Sequence, residues 1–182
     1  MIRAEAAGDR SVADASIQSA SFERANPVQR AVRRFASSGP GAWPFARLAH
    51  RIDRPAYRVT RGRHTFATLV SGLPVVLLTT TGARSGQPRT VPVVGLPTAD
   101  GFAVIASNFG QHRQPGWYHN LRANPEGFVS VGGRSRRFSA LEVEGERRRR
   151  IWEVALRVYP GWSEYERRAS HRRIAVFVLE PA

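Results

Sequence analysis

Two periodicities divide the chain. Within a basic stretch, Phe45, Leu48, Ala49 and Ile52 recur at i, i+3, i+4 and i+7. That spacing predicts one apolar stripe of a helix, with Arg47, Arg51 and Arg54 on the other side and Pro44 in a tolerated first-turn position. From Leu73 onward the period shortens to that of strands. Val75–Thr81 is apolar and β-branched, Gly82–Pro88 reads as a loop, and Arg89–Val94 forms a second strand. Asp100-Gly101 signals a hairpin into Phe102–Ala106. Phe128–Val131 alternates, Gly132-Gly133 turns the chain, and Arg134–Val143 returns. Glu146–Val158 is helical by propensity, with Ile151, Trp152, Ala155, Leu156 and Tyr159 on one face, and Ile174–Leu179 supplies a closing strand. Short strands in hairpins, with helices inserted late, predict an α+β fold on a predominantly antiparallel sheet or small barrel rather than a βαβ array. Residues 1–25 are polar and aperiodic and read as a disordered tail. Residues 26–64 form a basic amphipathic helical extension, and residues 65–182 form the main domain.

At 182 residues the chain suits one domain with a tail, and 42% apolar content is enough for a packed core. Absence of cysteine excludes disulfides, iron–sulfur clusters, thiolate zinc sites and a cysteine nucleophile. His50, His64, His112, His119 and His171 show no paired ligand spacing, so no metal is expected. No apolar run approaches the ~20 residues of a spanning helix, and the N-terminus lacks the apolar centre of a secretory signal. A cytoplasmic protein is expected.

The charge changes the picture most. The net charge is +14, and with no lysine every basic residue is arginine. Arg24 to Arg63 holds ten arginines against one acid, Asp53. Such a field favours anionic partners: nucleic acid, anionic lipid, or a ligand bearing phosphate and carboxylates. No nucleic-acid motif accompanies it, so no specific nucleic acid is expected. The basic helix reads either as a lid on the domain's own core or as a peripheral contact with the anionic inner face of the membrane. The run Arg147–Arg150 points around a helix, with Glu144, Glu146 and Glu153 within pairing reach.

The loop Thr79-Thr80-Thr81-Gly82-Ala83-Arg84-Ser85-Gly86-Gln87-Pro88-Arg89-Thr90 joins two glycines, several hydroxyls and two arginines able to fork onto phosphate or carboxylate oxygens. It also reads as an ordinary polar hairpin loop. Ser107-Asn108-Phe109-Gly110 ends the third strand, and Gly116-Trp117-Tyr118-His119-Asn120 follows; Trp117 and Asn120 share a helix face. An aromatic wall beside an amide suits a planar heterocycle, and core packing is the simpler use of Trp117.

Taken in order, LLTTTGARSGQPRTVP, IASNFG, PGWYHNLRANP, VYPGWSEYERRA and VFVLEP resemble the deazaflavin-dependent nitroreductase family, from about Leu73 to Pro181. The resemblance implies a split β-barrel with flanking helices, related to the FMN-binding split barrels and packing as a homodimer. It implies coenzyme F420, with its phosphate and oligoglutamate tail, in preference to FMN. It also implies hydride transfer to a quinone, a nitroaromatic or a similar activated small-molecule acceptor. By position, Arg84, Ser85, Gln87 and Arg89 hold the phosphate and tail. Thr90, Val91 and Pro92 run along the ring, Ser107 and Asn108 lie near ring or phosphate, and Gly116, Trp117 and Asn120 complete the pocket. Tyr159, Trp162 and Tyr165 line the acceptor side, with Tyr165 or Ser107 hydrogen-bonding the acceptor oxygen. Ala83 and Asn108 depart from the pattern, standing where some members carry a basic residue and lysine. The competing expectation is a non-catalytic lipid- or membrane-binding barrel whose groove takes an acyl chain.

Overall fold

The alternating segments become six strands in a computed structural model that describes Pro27 and residues 73–99 and 101–182. The tail over 1–25, the extension over 26–64 (Pro27 aside), residues 65–72 of the main domain and Asp100 lie outside the described residues. β1 (Val75–Thr81) sends Val76, Leu78 and Thr80 inward and pairs antiparallel with the first part of β2 (Pro88–Thr98), from Val75↔Val94 to Thr81↔Pro88. β2 then changes partner. Gly95–Thr98 pairs with β3 (Gly101–Ile105), in the register Gly95↔Val104 to Thr98↔Gly101. β3 pairs with β6 (Val176–Pro181), β6 with β5 (Arg134–Val143), β5 with β4 (Glu126–Val131), and β4 with β1, closing the barrel β1-β2-β3-β6-β5-β4.

The partner change explains a boundary that differs from the expected one. β2 runs to Thr98 rather than stopping at Val94, because its second half answers β3. Gly95 and Pro97, poor strand formers, conceal that continuation in the pattern. The change also leaves one edge of Pro88–Val94 without a strand among the described residues, and β3 leaves the sheet at Ile105 beside that edge.

Two cores flank one wall. Inside the barrel, Val76, Leu78, Val104, Val129, Phe138, Phe177 and Leu179 fill the lumen, and Trp117 and Leu121 of α1 (Gly116–Ala123) pack onto them. Outside, Ala103, Ile105, Val176 and Val178 meet Trp152, Ala155 and Val158 of α2 (Gly145–Val158) and Trp162 and Tyr165 of α3 (Gly161–Arg168). β6 therefore buries both faces, which is why VFVL reads as an unbroken apolar run instead of alternating. Each fully buried aliphatic side chain contributes about 1.5–3 kcal/mol of transfer free energy. Tyr159 lies one residue past the end of α2 and still joins the outer core.

The arginine run on α2 is mostly neutralised locally. Arg149 bonds Glu146 and Glu153, Arg150 bonds Glu146, and Arg147 reaches Glu180 of β6. Arg148 turns inward instead, covers the Trp152 ring at 5.2 Å and donates to the Ile174 carbonyl at 3.1 Å. Its charge loses solvation there, so burial lowers its pKa.

Candidate functional site

The site starts from the turn between β1 and β2. The strand pair delivers Thr79 opposite Thr90, with their hydroxyls 2.8 Å apart, and Thr80 opposite Arg89. Between them the Gly82 N–H donates to the Gln87 carbonyl at 2.9 Å, and the Gly86 N–H donates to the Gly82 carbonyl at 2.8 Å. Glycine at position 82 lets the turn close tightly: a Cβ there would stand 2.6 Å from Ser85 Oγ and 3.1 Å from the Gln87 carbonyl oxygen, so both would have to give way. Gly86 supplies a left-handed φ of +65°. The loop is tight, and Arg84, Ser85, Gln87, Arg89 and Thr90 are exposed along it.

Neither Arg84 nor Arg89 has an ion-pair partner among the described residues; Arg89 makes only a long contact, 3.5 Å, to Ser85 Oγ. Residues 73–125 contain a single acid, Asp100, so no carboxylate on the turn opposes an incoming anion. The first turn of α1 also carries no acid. Uncompensated guanidiniums on a glycine-bearing turn suit phosphate or carboxylate oxygens.

Asn120 ties α1 to this turn. Its Oδ1 accepts from the Ala83 N–H at 3.0 Å, and its Nδ2 donates to the hydroxyl of Thr80, which is 1% exposed, at 2.9 Å. Both ends of the amide are thus used to hold the loop. Trp117, on the same face, is 8% exposed and packs edge-on to Phe177 at 6.0 Å. It supports the floor of the region, and its face is not open. Gly116 has empty space where a Cβ would lie. Val91 packs toward the lumen, while Pro92 sits across from Leu77.

At the end of β3, Ser107 leads into a single 3-10 turn, Asn108–Gly110. Asn108 and Phe109 both take left-handed backbone, at φ 46° and 56°. For non-glycine residues this stores about 1–3 kcal/mol each and points to a site whose geometry matters. The Ser107 N–H donates to the Ile105 carbonyl and its own carbonyl accepts from the Gly110 N–H, yet its hydroxyl has no partner among the described residues. Asn108 Nδ2 donates to the Arg113 carbonyl at 2.8 Å, which leaves Oδ1 without a donor among the described residues.

The three late aromatics are placed differently. Tyr159, Trp162 and Tyr165 are packed in the outer core, with the Tyr159 and Tyr165 hydroxyls 2.9 Å apart. Tyr165 is 4% exposed; burial and the neighbouring Tyr159 push its hydroxyl far above the ordinary phenol range. It reaches the 3-10 turn through Phe109, edge-on at 5.9 Å, and not through its hydroxyl. The structure thus brings Arg84, Ser85, Gln87, Arg89 and Thr90 together at one turn, to which Asn120 of α1 is tied. Ser107 and Asn108 stand on a second, and Tyr159, Trp162 and Tyr165 form a wall behind that one.

Sequence reasoning passed over Arg172. Its guanidinium, half-buried, donates to the carbonyls of Gln111 at 3.0 Å, Ala106 at 3.3 Å and Ser107 at 2.8 Å, and to Gln114 Oε1 at 2.8 Å. Arg-Arg before a last strand is an ordinary surface signature, and only the fold brings those acceptors to it.

Comparison with known proteins gives consistent matches. The family model described as F420H(2)-dependent quinone reductase matches residues 49–181. An F420H(2)-dependent quinone reductase of Mycobacterium tuberculosis is 35% identical over 133 residues, 71% of this chain and 87% of its own. A solved structure of an F420-H2 dependent reductase is 40% identical, covering 59% of this chain and 94% of its own, with a TM-score of 0.54. Another, described as a domain-swapped dimer, is 33% identical over 78% of this chain and 100% of its own, with a TM-score of 0.56.

Proposed function

The chain belongs to the F420H(2)-dependent quinone reductase family, and from that premise we propose that it binds reduced coenzyme F420 at the β1–β2 turn and reduces a quinone. The observation that carries this reading is the pair of arginines, Arg84 and Arg89, that no described carboxylate compensates, on a turn with no acid, beside the edge of β2 that no described strand pairs. A cofactor with a phosphate and several carboxylates matches that charge. Arg84, Ser85, Gln87 and Arg89 would hold those anionic groups, and Thr90, Val91 and Pro92 would offer strand backbone to the ring. When bound, the reduced cofactor supplies the hydride; the protein supplies orientation and electrostatics.

The roles of individual residues follow from placement. The unpartnered Ser107 hydroxyl would donate to the acceptor oxygen as negative charge develops there. Asn108 Oδ1 offers an acceptor beside it. Asn120 and Trp117 would act by holding the loop and floor. Tyr159, Trp162 and Tyr165 would form the wall that fixes the acceptor side. Nitroaromatics are proposed as further acceptors, and the homodimer is supported by the domain-swapped relative. A lipid carrier is disfavoured because Leu78, Val104, Phe138 and Leu179 already fill the lumen. The anionic membrane contact concerns residues outside the described ones.

Titration with F420 and, separately, FMN, followed by tryptophan fluorescence and by turnover with a quinone, tests the reading. Tight F420 binding with quinone reduction is expected. Binding of neither cofactor would overturn it.

A further inference from the structure

The strained Asn108–Phe109 backbone needs something to hold it. The segment 106–114 is fastened to residues 171–173 at three places. Arg172 makes its four bonds to Ala106, Ser107, Gln111 and Gln114. Gln114 Nε2 donates back to the Arg173 carbonyl at 3.0 Å. The imidazoles of His112 and His171 stack 3.6 Å apart, with His171 Nε2 3.0 Å from the His112 carbonyl oxygen. Arg172 stands at the centre of this fastening. All four of its acceptors are neutral, and no carboxylate pairs with it among the described residues. Burial without a counter-ion lowers its pKa. Taking a guanidinium partly out of water without a carboxylate partner is costly, and here its four hydrogen bonds to the 106–114 segment offset that cost.

Its fork also explains why this residue type is needed. Two of the carbonyls, Ala106 and Ser107, directly follow β3 and enter the 3-10 turn, and the third, Gln111, closes it. One planar group with donors on every edge can tie both ends of the turn at once. An ammonium presents three donors from one point and cannot span them.

We propose that Arg172 is a positioning residue: it ties the two ends of the Ser107–Gln111 turn and so sets the Ser107 hydroxyl where the hydride acceptor is held. The proposal rests on the function proposed above and adds a residue that touches neither cofactor nor acceptor. It predicts a split between parameters. Cofactor binding is carried by Arg84 and Arg89 on another turn, so it should barely respond to Arg172, while turnover should respond strongly.

The test compares Arg172→Gln, Arg172→Lys and Arg172→Ala in the full chain. Amide hydrogen exchange is read without cofactor at Gly110 and Gln111, whose N–H groups bond to Ser107 and Asn108. All three variants should lose protection there at least tenfold while the β1 and β6 amides stay as in the wild type. F420 affinity should change less than threefold and kcat with a quinone should fall at least tenfold, the lysine variant included. Millimolar guanidinium should restore part of kcat in Arg172→Ala and leave the wild type unchanged. Unchanged protection in the variants overturns the proposal, as does full turnover despite lost protection. A loss of F420 affinity parallel to kcat, with no rescue, also overturns it. Should Arg172→Ala fail to fold, the glutamine and lysine variants carry the same readouts. A wild type that binds no F420 would sink the functional reading, while exchange at Gly110 and Gln111 would still decide the clamp.

Discussion

Asn120 offers a sharp test because two roles for it make different predictions. If its amide is a strut, replacing it should cost stability; if it only touches ligand, replacing it should cost affinity alone. Asn120→Ala removes the bond to Thr80 and the bond to the Ala83 N–H. A neutral hydrogen bond contributes about 0.5–1.5 kcal/mol net, and stranding a buried partner costs about 1–3 kcal/mol. The Thr80 hydroxyl is the buried partner, at 1% exposure, whereas Ala83 is exposed and its N–H turns to water. The larger share therefore falls on Thr80, and the total comes to about 2–3 kcal/mol. At this chain length that lowers Tm by roughly 4–12 °C. Urea unfolding of Asn120→Ala, Thr80→Val and the double variant measures it directly. In the Thr80→Val background the Asn120 change should cost only about 1 kcal/mol, giving a coupling of about 1–2 kcal/mol. A single-variant cost below about 0.5 kcal/mol, or a cycle without coupling, would refute the strut. F420 affinity lost with stability intact would make Asn120 a ligand contact instead.

Arg84→Ala and Arg89→Ala should each weaken F420 binding about 10- to 150-fold, from about 1.5–3 kcal/mol per charged bond. Isothermal titration at two salt concentrations checks this: equal loss of FMN binding would assign the arginines to the phosphate that both cofactors share, and unchanged F420 binding would contradict the assignment. Tyr165→Phe removes a buried hydroxyl bonded to Tyr159, so turnover should stay within about threefold. A hundredfold fall in kcat with unchanged stability would place that hydroxyl on the acceptor. Glu146 is held down to about 2 by its bonds to Arg149 and Arg150. Its folded pKa lies below its unfolded one, so its contribution is present above about 4.5 and is lost as pH falls toward 2. Glu146→Gln should flatten the acid limb of a Tm-against-pH curve in that window, and an unchanged limb would contradict the pairing.

Much of the architecture was legible along the chain. Hairpin signals, apolar β-branched runs and alternation placed β1, β3, β4, β5 and α2 nearly where they stand, because each depends on turn chemistry and on the period of its own residues. The end of β2 was not legible, since Gly95 and Pro97 interrupt its pattern and only β3 gives the second half a partner. The start of the closing strand shifted from Ile174 to Val176 because Ala175 and Ile174 serve other bonds, to Ala106 and Arg148. For the site, the glycine turn with its two arginines stood out as residue types at a spacing. The direction in which Asn120, Trp117 and Tyr165 point did not, because an amphipathic helix specifies a face and not what lies against it.

Local chemistry is written in the sequence: a basic turn without acids, strands of the right period, helices with an apolar stripe. These features need only neighbours a few residues apart, so they are present before the chain folds. Among the described residues, the unpaired edge of Pro88–Val94 and the grip of Arg172 on the left-handed Ser107–Gln111 turn both depend on partners distant in the chain, Arg172 standing some sixty positions from the turn it holds. They exist only once β3 and β6 have paired, because until then Arg172 has no carbonyls to reach and nothing offsets the strain at Asn108 and Phe109.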